Sequence, residues 1–480
     1  MGVLSNLEPK EVFHYFEEIC GIPHPSYKEE KISNYLVSFA KERGLEYYQD
    51  DLKNVIIIKE ASAGYEEAAP IIIQGHMDMV CEKVPGCKID FEHDGLKLKI
   101  EGDYVTADGT TLGGDDGIAV AYALAILASE EMEHPRIEFV CTVSEEVGME
   151  GAAGIDVSML QGKKLLNLDS EEEGIMLISC AGGCRAECKL PAEWEKVEGQ
   201  QIAIHVKGLI GGHSGVEIHK GRANSNMLLG RVLLAAGGVQ SYHLMSCEGG
   251  NKDNVIPRET NAVVVVKENA DAFIQAVEKA GEEIAAEYAA VDPDISVTAE
   301  RIGAGVKKAL SEGATTRAAA LMHALPNGIQ RMSTDIEGLV ETSLNLGVLR
   351  LTEESFELRY ALRSSVGTAL KYLCAKMRMI AEQLGAELAV GSEYPAWEYK
   401  RDSKLREDMA EVYRKMYGTE MKIEAIHAGL ECGILSGKIP GLDAVSIGPD
   451  MVAVHTAEEK LSISSTKRTW EFLSEVIKCR

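Results

Sequence analysis

The sequence predicts an α/β protein in which a largely parallel sheet domain, built from both ends of the chain, carries an inserted α+β domain. Three observations predict this. Strand-like and helix-like runs alternate as far as Leu168; the order changes near Ala186; and the first rhythm returns near Tyr394-Pro395-Ala396-Trp397. With 480 residues the chain is long enough for two or three cores rather than one. The expected domains are 1–185 with 395–480, and 186–394.

Taken in order, Pro9 suits a first helical position before Val12, Tyr15, Phe16 and Ile19. Ser26-Tyr27-Lys28-Glu29 has the form of a capping box opening a helix that Gly44 closes. Asn54–Lys59, Ile71–Gln74, Arg136–Val143 and Lys164–Leu168 read as strands, and Ile118–Ala128, apolar on every side, as a buried helix. In the insert, strands are expected at Gln201–Lys207, Ala262–Val266 and Ile295–Ala299, with helices at Arg222–Leu234 and Ala270–Ala290. A similar order recurs: helix Thr315–Ala324, strands Thr342–Val348 and Ser355–Leu362, helix Thr368–Leu384 and strand Glu387–Val390. This predicts two successive split βαβ modules with helices on one face of an antiparallel sheet. A capped helix from Asp402 to Gly418, a glycine-rich stretch at His427–Gly433, strand Ala444–Ile447 and helix Ser465–Ile477 complete the chain.

The formal charge of −27 argues against nucleic acid and anionic membrane as partners, because both would repel it. No apolar run approaches a membrane span, and the opening Met-Gly-Val-Leu-Ser-Asn-Leu-Glu-Pro lacks the features of a signal peptide. Asn6 fails the myristoylation pattern. Eleven cysteines without a scaffold-like rhythm fit reduced thiols, and the expected compartment is the cytoplasm. Cys180, Cys184 and Cys188 recur every fourth residue, but Gly182-Gly183 interrupts them and no partnering pair follows, so a metal site there is not expected.

Five acidic or histidine stations follow strands or turns: His76 with Asp78; Asp115-Asp116 in a glycine-rich turn; Glu145-Glu146; Asp169; and His455. His-x-Asp offers a metal an imidazole together with a carboxylate to hold its second nitrogen. Imidazole and carboxylate without cysteine suit zinc, cobalt or manganese in a hydrolytic site. One shared Asp, with a His and a carboxylate for each ion, would make a two-metal centre with ions ~3.5–4 Å apart. Adjacent Glu145 and Glu146 fit a division of labour, one binding metal and the other taking a proton from water. Each station has a plainer reading: a solvated helix start, a helix cap, an acidic loop, a lone hydrogen-bonded histidine. Those readings are independent of one another, and five coincidences around the strand ends of one domain are harder to arrange than one site.

Gly-His-Met-Asp, Leu-Gly-Gly-Asp-Asp-Gly, Ser-Glu-Glu-Val-Gly, Leu-Asp-Ser-Glu and Val-His-Thr resemble the metal-binding motifs of the M20 metallopeptidases. Within them the likeness is to the bacterial aminoacyl-histidine dipeptidases. It extends to Gly-Gly-His-Ser-Gly at 211–215, Asn-Val-Ile-Pro-Arg at 254–258, Thr-Ser-Leu-Asn-Leu-Gly at 342–347 and His-Ala-Gly-Leu-Glu-Cys-Gly at 427–433. The resemblance implies two zinc ions, with cobalt or manganese as substitutes, one held by His76, Asp115 and Asp169 and the other by Asp115, Glu146 and His455. It implies that Asp78 orients His76 and that Glu145 is the general base. An Asp at position 169 goes in this family with aminopeptidases and dipeptidases, a Glu with carboxypeptidases and deacylases. Asp116 departs from the Asn usual there.

The resemblance further implies a lid domain at 186–394. His213, between glycines, suits stabilisation of a tetrahedral oxyanion. Arg363 suits the C-terminal carboxylate of a dipeptide through its planar fork, and Asn254 a polar contact. The plain alternative pairs Arg363 with Glu357 or Glu353 at the surface. The implied substrates are unblocked dipeptides, Xaa-His such as β-alanyl-histidine among them, with N-acyl amino acids or a silent scaffold as rivals. A homodimer is compatible with the family: many relatives with a single-module lid borrow the histidine from a partner, whereas a two-module lid can supply it within one chain.

Overall fold

The computed structural model describes residues 2–479. The chain forms two compact units, Met1–Ser179 with Tyr399–Ala425 and Leu430–Arg480, and Cys180–Glu398 with Ile426–Gly429.

The first unit is built on an eight-stranded sheet in the order Glu46–Gln49, Val55–Lys59, Ile137–Thr142, Ile71–His76, Lys164–Asn167, Asp443–Ser446, Ile175–Cys180, Lys422–Ile426. Its centre is parallel: Ile71–His76 runs beside both Ile137–Thr142 and Lys164–Asn167, and Asp443–Ser446 beside the latter. Its margins are antiparallel at Val55–Lys59, Glu46–Gln49 and Ile175–Cys180. The expected largely parallel sheet is therefore parallel only where long crossovers join strands; the hairpin through Asp50–Asn54 turns its strands back. Ile71–His76 and Ile137–Thr142 are buried at every residue, as β-branched runs covered on both faces should be. Gly114–Ala128 is buried almost throughout, and Gly75 is what lets it approach the sheet: a Cβ there would lie 2.7 Å from that of Ala119. A small antiparallel sheet joins Leu98–Glu101, Tyr104–Ala107, Lys460–Ser462 and Met451–Val452.

The expected capping box does not form. The helix starts at Glu30 without a side-chain cap; Ser26 and Glu29 bond elsewhere, as described below. Pro9 sits just outside the helix Lys10–Cys20 rather than at its first position. Gly44 follows the helix Glu30–Glu42 in a left-handed conformation that a glycine adopts without cost.

The second unit holds a nine-stranded antiparallel sheet in the order Ser296–Leu310, Trp194–Lys207, Thr260–Val266, His243–Gly249, Val340–Leu351, Ser355–Ser364, Gly182–Pro191, Glu387–Tyr394, with Gly328–Met332 added against Val340–Leu351. Two split βαβ modules share it, but they are nested rather than successive. The inner one comprises Trp194–Lys207, His243–Gly249, Thr260–Val266 and Ser296–Leu310 with helices Ser225–Gly237 and Ala270–Tyr288. The outer one takes its first strand, Gly182–Pro191, from before the inner module and the rest from after it, with helices Glu312–Ala324 and Gly367–Gln383. The unit accordingly begins at Cys180 instead of near Ala186. The ends of the inserted module meet, Ser311 N–H donating to the Glu193 carbonyl at 2.7 Å. All four helices pack on one face: Leu229, Phe273, Leu321 and Met377 share a core with alternate strand residues such as Cys184, Ala186 and Cys188, and Leu358, Tyr360 and Leu362. Cys184 and Cys188 are core thiols of this layer.

Candidate metal centre and substrate-binding residues

In the first unit the parallel strands end on the same edge of the sheet, where loop residues converge. His76 closes its strand, and its ring Nδ1 lies 3.0 Å from the Asp78 carbonyl oxygen and 3.4 Å from that residue's carboxylate. The other ring nitrogen, Nε2, lies 3.1 Å from Asp115 Oδ1 and 3.7 Å from Asp169 Oδ1. The second oxygen of Asp115 lies 3.1 Å from Nε2 of His455, which is 3.0 Å from Glu146 Oε1. Asp115 thus sits between two histidines, one on each oxygen, with a further carboxylate beside each. Ligand atoms of His76, Asp115 and Glu146 lie within 4.8 Å of one another, as do those of His76, Asp116 and Asp169.

Asp116 is fully buried, and its Oδ2 accepts the His76 backbone N–H at 3.1 Å. Burial, with Asp169 nearby, pushes its carboxyl well above the usual range. It therefore braces the His76 backbone, whereas Asp115 is the carboxylate that reaches both histidines.

The electrostatics are those of a cation site. Burial opposes charge on His76, but Asp115, Asp169 and Asp78 together lift it well above its ordinary value. Asp115 and Glu146 hold His455 up at about 11, and burial raises Asp169 to about 7. These groups share protons to balance crowded carboxylates, and a divalent ion would displace those protons. Nitrogen and oxygen donors without sulfur fit a borderline or hard metal. Burial, reinforced by Asp169, Glu431 and Glu146, raises Glu145 well above the ordinary carboxylate range despite the opposing effect of His76.

Several supports were not legible in the sequence. Asp78 accepts the backbone N–H groups of Glu145 and Glu146 at 3.0 and 3.3 Å and the Ser26 hydroxyl at 2.8 Å. Glu29 accepts from the backbone N–H and hydroxyl of Ser144, at 3.0 and 2.9 Å. The apparent capping-box residues therefore hold the turn that presents Glu145 and Glu146. Beneath the strand ends, buried Glu431 accepts from Gln74 and Thr142 at 2.5 and 2.6 Å, and Gln74 accepts from Asn167 at 2.7 Å. Glu431 lies in the glycine-rich stretch noted above, where spacing alone gave it no partner.

The second unit gathers His213, Arg363 and His427. His213 Nδ1 accepts the backbone N–H groups of Gly215 and Val216, both at 3.2 Å, which leaves the ring hydrogen on Nε2. Burial and then Arg363 keep the ring below its usual pKa, hence neutral. Gly215 makes the cluster fit: a Cβ there would come 2.7 Å from the His427 carbonyl, 2.9 Å from His213 and 3.1 Å from Arg363. Arg363 is only 7% exposed, and its guanidinium donates to the Tyr394 hydroxyl at 3.1 Å. The surface pairing with Glu357 or Glu353 does not occur; those carboxylates face Arg359 and Lys308. His427 Nε2 is 2.7 Å from the Ser343 hydroxyl. Arg363 Nε, His427 Nδ1 and Ser214 Oγ are buried without hydrogen-bond partners among the described residues, the signature of a polar site built for something else to complete. The Asn254 carbonyl accepts from Ser214 N–H at 2.9 Å.

Residues 72–478 match the family model described as peptidase family M20/M25/M40. The chain is 37% identical over 481 residues to the cytosol non-specific dipeptidase of Escherichia coli K12, covering all of this chain and 99% of that one. The crystal structure of aminoacylhistidine dipeptidase from Vibrio alginolyticus superposes with a TM-score of 0.94 at 36% identity, over 99% of this chain and 97% of that one. Aminopeptidase PepT from Bacillus cereus, at 18% identity and a TM-score of 0.56 over 98% of both chains, shares the fold.

Proposed function

The chain belongs to peptidase family M20/M25/M40, and from that premise we propose that it is a cytoplasmic, metal-dependent dipeptidase acting on unblocked dipeptides, Xaa-His among them. The observation that carries this reading is Asp115, whose two oxygens each meet a histidine, His76 and His455, at 3.1 Å. In a chain 37% identical end to end to a dipeptidase, that is the arrangement a shared bridging ligand needs.

Two zinc ions would be held by His76, Asp115 and Asp169 and by Asp115, Glu146 and His455, with cobalt or manganese as substitutes. Bound there, they would polarise the scissile carbonyl and acidify water. Glu145, partly shielded and raised in pKa, accepts a proton from the attacking water and returns it to the leaving amine. Asp78 holds His76 on one side and the Glu145 backbone on the other. In this reading the unit on the eight-stranded sheet, expected at 1–185 with 395–480, is the catalytic domain, and the inserted unit, expected at 186–394, is the lid. His213, neutral and carrying its hydrogen on Nε2, donates to the oxyanion. Arg363 takes the dipeptide's C-terminal carboxylate, and Asn254 lends a polar contact.

A panel of unblocked, N-acylated and longer peptides tests the reading with metal-loaded protein. Hydrolysis confined to unblocked dipeptides supports it; preference for N-acyl amino acids would replace it with a deacylase.

A further inference from the structure

Glu459 stands four residues beyond His455, in the run Ala457-Glu458-Glu459-Lys460, where a surface carboxylate would be expected. It is instead 2% exposed. One of its oxygens accepts the backbone N–H groups of Leu112 and Gly113 at 2.8 and 3.3 Å, and the other accepts that of Gly114 at 2.8 Å. Three consecutive amides, directly before Asp115, thus converge on one carboxylate more than 340 residues away in sequence. The turn is shaped to receive it. Gly113 has φ +67°, and a Cβ on Gly114 would lie 3.2 Å from Glu459 Oε1. Asp115 and Asp116 that follow are not yet helical in φ and ψ, so the regular helical bonds do not fix their orientation. The Glu459 end is anchored in turn, its carbonyl accepting the Thr106 hydroxyl at 2.7 Å and its N–H donating to the Thr456 carbonyl at 3.1 Å.

We propose that Glu459 is a positioning residue for the metal centre: it ties the segment carrying His455 to the turn carrying Asp115, and so sets the bridge between the two ions. This rests on the two-metal reading above. His76 and Asp169 follow adjacent strands of the central sheet and keep their places without the clamp. His455 lies in the connection between Met451–Val452 and Lys460–Ser462 and depends on it. Both ions would share Asp115, but the ion at Glu146 would also lose the placement of His455, so loss of the clamp should weaken that ion more than the one at His76 and Asp169.

The test is calorimetric titration of metal-stripped protein with Zn²⁺, comparing wild type with Glu459→Gln and Glu459→Ala. One of the two binding events should weaken by ~10–100-fold, the usual effect of removing a group that holds a metal ligand in place. Glu459→Gln, which retains an acceptor oxygen, should recover part of the loss seen in Glu459→Ala. Unchanged affinities, or two events weakened alike, would overturn the inference while leaving the two-metal reading intact. Wild type that takes up no Zn²⁺ would overturn that reading and the inference with it. Should neither variant fold, amide hydrogen exchange in the wild type decides: the amides of Leu112, Gly113 and Gly114 should exchange slowly in both loaded and stripped protein. Fast exchange in the stripped protein would mean that the metals, not Glu459, hold the turn.

Discussion

Glu145 and Glu146 are neighbours whose backbone N–H groups share one acceptor, the Asp78 carboxylate, yet only Glu146 reaches His455. Their substitutions should separate accordingly. Glu145→Gln is expected to retain metal and lose ~10²–10⁴-fold in turnover, the usual cost of losing a general base. Glu146→Gln is expected to lose metal, read by elemental analysis; the opposite pattern would exchange the two roles. His213→Ala should cut turnover while leaving metal content and melting temperature unchanged, because among the described residues its ring bonds only the local backbone. Glu145 and Glu146 stood out as candidates because carboxylates after a strand end suit metal chemistry, and His213 because glycines flank it. Glu459 did not. A carboxylate whose partners are backbone N–H groups far away in sequence leaves no local pattern, and in a chain with 76 acidic residues it looks like surface.

At the scale of elements, Ser26-Tyr27-Lys28-Glu29 shows how a good local pattern loses to tertiary bonding. The Ser-x-x-Glu spacing is that of a capping box, but each side chain gains a buried partner by turning to the sheet edge, Asp78 for Ser26 and Ser144 for Glu29. Glu29→Ala leaves the Ser144 N–H without that acceptor and should cost about 1–3 kcal/mol. The expected signature is a lower melting temperature together with reduced turnover, since Ser144 directly precedes Glu145; a variant as stable and active as wild type would show the bonds to be incidental. The nested modules were hidden for a related reason. The strand Gly182–Pro191 opens with two glycines and holds two cysteines, a weak strand signature, and it is fixed by pairing with Ser355–Ser364 and Glu387–Tyr394. The amphipathic helices, which carry their own period, were readable to within a few residues.

Over the whole molecule, the acid sensitivity of folding has an identifiable source in the second unit. Burial, then the positive Arg363 and the neighbouring His213, hold His427 at about 3 against its ordinary 6.5. The folded protein refuses a proton that the unfolded chain accepts, so this contribution is present in full above pH 6.5 and is lost as pH falls towards 3. His427→Gln should flatten the fall in unfolding free energy across that interval relative to wild type; parallel curves would show that His427 titrates normally. Among the described residues no helix is long and apolar enough to cross a membrane.

In the proposed function the cluster around Asp115 works by holding metal. The direct measurement is hydrolysis of unblocked dipeptides, β-alanyl-histidine included, by protein stripped with a chelator and then reloaded. Activity is expected to disappear with the metal and to return with zinc, cobalt or manganese as occupancy approaches about two ions per chain. Full hydrolysis by protein shown to be free of metal would contradict it.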